Sequence, residues 1–228
     1  MTEFDIIFAG PMKHLLYLDT TDKKSQLLIL NEIKAISIRT NEIQMNHGQV
    51  INRQIKDMLE ETGLSWGQID GVCVLNGPGS YTGLRISLAT AKGICYARTI
   101  PLILINKLDL MYHSAANIAR EQALCPIIKA RENEYFSVIY SAGGNQITEH
   151  SLSTKDELQT QMNLHQALLC FEELSYQTEF EHFIHLNISL NEILRLCIDY
   201  FREEKFADLY NSEPFYLKNV YVNKINKL

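Results

Sequence analysis

Leu75-Asn76-Gly77-Pro78-Gly79-Ser80-Tyr81-Thr82-Gly83-Leu84-Arg85-Ile86-Ser87 is the stretch whose reading decides the fold. It follows Val72–Leu75, an apolar run of buried-strand type, and leads into a predicted helix over Tyr81–Arg98. Gly77 and Gly79 allow backbone angles closed to residues with a β-carbon, and Pro78 stiffens the loop between them. Ser80 or Thr82 can cap the first free amides of the helix. A loop of this kind is either an anion cradle, with amides and helix dipole facing one spot, or a tight packing turn. It lacks the Lys-Ser/Thr ending of a P-loop and the spacing of a dinucleotide fingerprint. The local pattern leaves both readings open.

The helix that follows is rich in small residues: Gly83, Ser87, Ala89, Thr90, Ala91, Gly93 and Ala97. Gly93 costs roughly 1 kcal/mol of helix stability against Ala, so close packing should compensate. The packing partner is either the domain's own sheet or a helix of another subunit.

Upstream, Leu15–Leu18 reads as a buried strand closing in the turn Asp19-Thr20-Thr21, and Gln26–Leu30 and Ala35–Arg39 as strands joined at Asn31-Glu32. Ile51, Ile55, Met58 and Leu59 fall on one helical face, and Gly63 stops that helix. Downstream, Leu102–Ile105 is a further strand. The pattern then begins again: strands at Pro126–Ala130, Tyr135–Tyr140 and Gln146–Ser151, with Gly143-Gly144 as a hairpin turn. Thr154 with Glu157 is a capping box that starts a helix; Ala167–Phe171 and His182–His185 are short strands; Ser189 with Glu192 opens a last apolar-striped helix. Three strands followed by alternating helices and strands, occurring twice, predicts two related α/β units. The expected division is 1–106 and 107–206, with 207–228 returning to the first unit.

The 228 residues are 46% apolar and 21% charged, with a net charge of −6, values of an ordinary globular chain that exclude collagen, coiled coil and disorder. No stretch approaches ~18 consecutive apolar residues, and the first 14 carry acids where a secretory signal needs bases. The expectation is a cytoplasmic protein with no membrane partner. Five scattered cysteines without a CxxC read as buried small hydrophobes. With 27 Asp and Glu against 21 Lys and Arg, wide unaided contact with nucleic acid is disfavoured. The exception is the end, Pro214–Leu228, where Lys218, Lys224 and Lys227 alternate with apolar residues and no acid. That tail either meets an acidic partner or tRNA, or packs back on the first domain.

Asn76-Gly77-Pro78-Gly79-Ser80-Tyr81-Thr82-Gly83-Leu84-Arg85-Ile86-Ser87 closely resembles the signature of the TsaB (YeaZ) family. Supporting similarities are Leu16–Thr21 as the family's opening strand and turn, His47 opening the first long helix, Ile128–Phe136, and Pro214–Lys218. The resemblance implies an actin-like, ribonuclease-H-like fold with two duplicated domains. It also implies a catalytically silent homologue of TsaD that dimerises with it, while TsaD transfers threonylcarbamoyl to the adenosine beside the anticodon of tRNA. A TsaE homologue joins the larger complex, tRNA is served indirectly, and a homodimer uses the same surface when the partner is absent. The expected docking face is the helix pair His47–Glu61 and Thr82–Ala97, through His47, Ile51, Ile55, Met58, Tyr81, Thr82, Leu84, Arg85, Leu88 and Ala91.

TsaD-type proteins hold a metal with two histidines after the strand that matches Leu102–Ile105. Here Lys107 and Met111 stand in their places, and an ammonium and a thioether do not replace two imidazoles. No catalytic or metal-binding residue is expected, and no cofactor of the chain's own; ATP or ADP belongs to the partner interface. Asp19, Thr20 and Thr21 are candidates for holding nucleotide phosphates, against the alternative of a plain turn. His182 and His185 would face opposite sides of a strand, and His113 is placed to pair with Asp109 one turn away. Lys129 replaces the family's Asp, while Arg131 is kept. The rival function classes are an actin-fold ATPase or a peptidase, betrayed by hydrolysis from the isolated chain, and a self-associating scaffold unrelated to tRNA.

Overall fold

A computed structural model describes residues 12–42, 47–119, 121–130, 132–172 and 179–216. The chain forms two compact units: one runs up to Ile105 and takes back Ser189–Pro214, and the other is Asn106–Ile188 with the chain from Phe215.

In the first unit, β1 (His14–Asp19), β2 (Ser25–Asn31) and β3 (Ala35–Asn41) form an antiparallel meander. Asn31 shapes the β2–β3 turn, its side-chain oxygen accepting from the amides of Ile33 and Lys34. Helix α1 (His47–Thr62) then leads to β4 (Gly71–Leu75), helix α2 (Tyr81–Arg98) and β5 (Leu102–Ile105). Strands β4 and β5 run parallel to β1, giving the sheet order β3-β2-β1-β4-β5. Strand alternation sends Leu16, Leu18, Val72 and Val74 to one face, where they pack with Ile51, Ile55 and Met58 of α1 and Leu88, Ala91 and Cys95 of α2. The opposite face carries Leu15, Tyr17, Cys73 and Ile103, all buried.

The second unit holds α3 (Lys107–Ala116), β6 (Leu124–Lys129), β7 (Glu134–Ser137), β8 (Ser151–Thr154), α4 (Lys155–His165), β9 (Leu168–Phe171) and β10 (Phe183–His185). Its sheet order, read from the other edge, is β8-β7-β6-β9-β10, with β6–β7 and β7–β8 antiparallel and β6–β9 and β9–β10 parallel. The same order and polarity occur in both units. This is the duplicated ribonuclease-H-like arrangement of actin-like proteins, as expected.

Several placements differ from the sequence reading; the strand expected over Tyr135–Tyr140, for one, ends at Ser137. The third strand of the second unit lies at Ser151–Thr154, not Gln146–Ser151. The earlier residues form an irregular return in which Thr148 Oγ1 accepts from Ile139 N and His150 reaches Asp109. Helix α5 (Leu190–Arg202) was expected in the second domain but packs on the first, over the Leu15–Tyr17 face: Phe201 lies 3.2 Å from where a β-carbon on Gly71 would stand. Of 207–228, Ala207 donates to Leu102 O in the first unit, whereas Phe215 stacks edge-on against His150 in the second; 217–228 lie outside the described residues.

Gly63 ends α1 at φ 70°, but α2 ends on Thr99 at φ 53°, a left-handed angle that a β-branched residue adopts under strain. Thr99→Gly is therefore expected to stabilise the protein by about 1 kcal/mol, read as a rise in the urea midpoint at unchanged slope.

Candidate functional site: the loop joint and the exposed face of α2

The glycine-rich loop closes onto the turn after β1. Thr20, 1% exposed, donates its hydroxyl to Gly83 O at 2.6 Å, and Ser80 N donates to Thr21 O at 2.7 Å. A β-carbon on Gly83 would stand 1.7 Å from Thr20 O, and one on Gly79 2.7 Å from Thr21 Cβ. Gly77 sits at φ 117° before a cis bond to Pro78. Ser80, not Thr82, caps the helix, its Oγ accepting from Gly83 N at 3.3 Å. These contacts make the loop a tight packing turn against the end of β1.

Thr21 is also buried, and its amide and hydroxyl both donate to Asp19 Oδ1, at 2.8 and 2.7 Å. Thr20 and Thr21 are built into the joint between β1 and α2, and the half-buried Asp19 carboxylate anchors Thr21 there.

The expected docking residues divide sharply. Ile51, Ile55, Met58, Leu84, Leu88 and Ala91 are all at most 4% exposed, filling the unit's own core beneath the sheet. His47 is 3% exposed, with Nδ1 3.2 Å from Asn41 Nδ2. These seven side chains are buried within the unit's own fold, because the sheet needs that apolar stripe first. Tyr81, Thr82 and Arg85 are exposed, and the Arg85 guanidinium lies 4.3 Å above the Tyr81 ring. Below them the same ridge continues through Ala89, Gly93 and Ala97, every fourth residue and all exposed, with Tyr96 beside it at 68%. The sequence reading singled out Ala89, Gly93 and Ala97 as small residues but not as part of this exposed ridge. The four-residue spacing of 81, 85, 89, 93 and 97 was the available signal.

At the start of α3, Lys107 pairs with Glu172 at 3.6 Å, and Met111 is 1% exposed within the second unit's core. Among the described residues no three His, Cys, Asp or Glu are grouped to hold a metal ion, and no helix is long and apolar enough to cross a membrane. His182 and His185 are exposed, His185 Nε2 lying 2.9 Å from Glu172 O. Asp109 meets Tyr140 OH and, at 3.2 Å, His150 Nε2.

The family model described as TsaD, tRNA N6-adenosine threonylcarbamoyltransferase, matches residues 36–201. A TsaB from Haemophilus influenzae, a tRNA threonylcarbamoyladenosine biosynthesis protein, is 32% identical over 127 residues, 55% of this chain and 53% of that one. The TsaB of Escherichia coli is 24% identical over 221 residues, 90% of this chain and 94% of that one. The chain belongs to the TsaD family, in its TsaB (YeaZ) group. The match spans about half the length of the Haemophilus relative. The solved YeaZ from Pseudomonas aeruginosa superposes with a TM-score of 0.72 at 19% identity, covering 90% of this chain and all of that one, a likeness of fold.

Against the TsaB pattern, Lys129 stands where the resemblance places an acid. The structure restores a carboxylate there from another strand connection: Lys129 Nζ binds Glu179 Oε1 at 2.6 Å, and the buried Tyr135 donates its hydroxyl to Glu179 Oε2. The Lys129 and Tyr135 hydrogen bonds hold the Glu179 carboxyl below its ordinary range. A carboxyl lowered by folding stabilises the native state above its unfolded pKa, and that support is lost as pH falls through the folded value. Lys129→Met should therefore lower the thermal midpoint at pH 7 and change it less at pH 3, measured by circular dichroism. Arg131 lies outside the described residues.

Proposed function

We propose that this chain is a non-catalytic partner subunit of a TsaD-type transferase in tRNA threonylcarbamoyladenosine biosynthesis. One observation carries the reading. In a chain that the TsaD family model spans over 36–201, the metal-histidine positions hold an ion-paired Lys107 and a core-filling Met111. Met111 cannot leave the core to serve a ligand without opening a cavity, which costs about 2–5 kcal/mol for a buried apolar side chain. What the chain does offer is a rigid helix: α2 is fixed at its N-terminus by the Thr20–Gly83 joint and displays a narrow ridge of small residues headed by Tyr81 and Arg85. A partner helix can lie close along such a ridge. The same ridge serves a homodimer when the partner is absent, and nucleotide and a TsaE homologue act in the assembled complex.

The test is to mix the purified chain with a TsaD homologue and follow size-exclusion elution, then to reconstitute tRNA modification with and without the chain. A stable heterodimer, and modification that depends on the chain, are the expected results. No heterodimer, or modification of equal rate without it, overturns the reading.

A further inference from the structure

Cys73 and Cys197 come together in the first unit. Cys73 lies in the middle of β4, its neighbours being Tyr17 on β1 and Ile103 on β5, and it points away from α1 and α2. Cys197 is on the buried face of α5, one turn before Phe201, with its thiol beside Cys73, and both residues are fully buried. Gly71, two residues before Cys73, lets α5 approach closely, with Phe201 filling the space a side chain would need.

We infer that Cys73 and Cys197 are an oxidation site that a small hydroperoxide converts into a disulfide between β4 and α5. Cys197 reacts first, because it rides on a single surface helix, whereas Cys73 is held between two parallel neighbours in the sheet. When α5 opens locally, the Cys197 thiolate attacks the peroxide oxygen. The O–O bond breaks, an alcohol or water leaves, and sulfur is oxidised to the sulfenic acid. One added oxygen is small enough for α5 to re-dock. The Cys73 sulfur then attacks the sulfenic sulfur, the S–S bond forms and water leaves. Overall two thiols give up two electrons and two protons, and one hydroperoxide is reduced to alcohol and water. Burial raises the Cys197 pKa, so opening of α5 gates the first step.

The other thiols are not arranged this way. Cys95 lies on the opposite face of the sheet, its thiol donating to Pro101 O at 3.4 Å and pushed up to about 12 by burial. Cys125 pairs in register with Leu169, and Cys170 with Pro126, so these two side chains leave adjacent strands on opposite faces.

The experiment treats the full chain with hydrogen peroxide, quenches with catalase, and counts thiols. The five free thiols should fall by two, and peptide mass spectrometry should find a Cys73–Cys197 link in monomeric protein. The thermal midpoint should rise by about 5–10 °C and return on reduction. In Cys73→Ala the oxidation should stop at a Cys197 sulfenic acid captured by dimedone. Retention of all thiols, a link between other cysteines, or an unlabelled Cys197 in that variant overturns the inference. Cys197→Ala, which keeps a small apolar side chain, should lose no thiol pair, and its losing one would also overturn it.

Discussion

Gly83→Ala should leave little or no soluble, folded protein. The new β-carbon would stand 1.7 Å from Thr20 O and 2.8 Å from Thr20 C, both backbone atoms at the end of a buried central strand. A flexible side chain can swing aside, but neither the β1 backbone nor the first turn of α2 can. Relief requires moving α2 off the sheet, which exposes Leu84, Leu88 and Ala91 and breaks the 2.6 Å hydrogen bond from Thr20. The expected loss exceeds about 3 kcal/mol, a large share of the ~5–15 kcal/mol that holds a typical domain together. Thr20→Ala removes only the hydrogen bond and should cost about 1 kcal/mol. Urea titration of the two variants beside the parent checks both figures. A Gly83→Ala protein with near-parental stability would show that the joint is not closed as described.

Gly93 should behave in the opposite way. A β-carbon there meets nothing within 4 Å, and the backbone is plain helix. In the isolated chain Gly93→Ala should therefore raise stability by up to about 1 kcal/mol. In the presence of a TsaD homologue it should weaken binding, because the methyl group occupies the path of a closely packed helix. Gly93→Arg should weaken the heterodimer at least about 100-fold, roughly 3 kcal/mol of lost binding, while the isolated chain stays folded. Titration calorimetry alongside a thermal melt separates the two effects. A tight heterodimer with Gly93→Arg would remove the α2 ridge from the docking surface without touching the fold.

Much of the fold was legible because its signals are local. The limits of α2 and β5 could be read directly from the loop glycines, the Ser80 cap and the Leu102–Ile105 run, and the repeat of strand order showed the duplication. What failed depends on pairings distant in sequence. Nothing in Leu190–Arg202 says which sheet receives its apolar stripe; Gly71, more than a hundred residues earlier, makes the room. The exposed ridge of α2 went unread for a related reason. Ile51, Ile55 and Met58 form the most conspicuous apolar stripe, but a helix offers its best apolar face to its own sheet before any partner. The quieter face of α2, with Ala89 and Gly93, has little hydrophobic contrast to betray it. Likewise Glu179, far from Lys129 in sequence, supplies the carboxylate that the local motif had lost.

The return of α5 also sets an order of events during synthesis. Residues 106–188 emerge complete before Leu190–Arg202 does, so the second unit has all its strands while one face of the first unit's sheet still lacks its helix. Until then Leu15, Tyr17, Cys73 and Ile103 have no α5 to cover them, although α1 and α2 have long since left the ribosome. A chain that ends just before Ser189 is therefore the species most in need of a holding chaperone, because the first unit, though begun first, still waits for α5 after the second unit's strands are made.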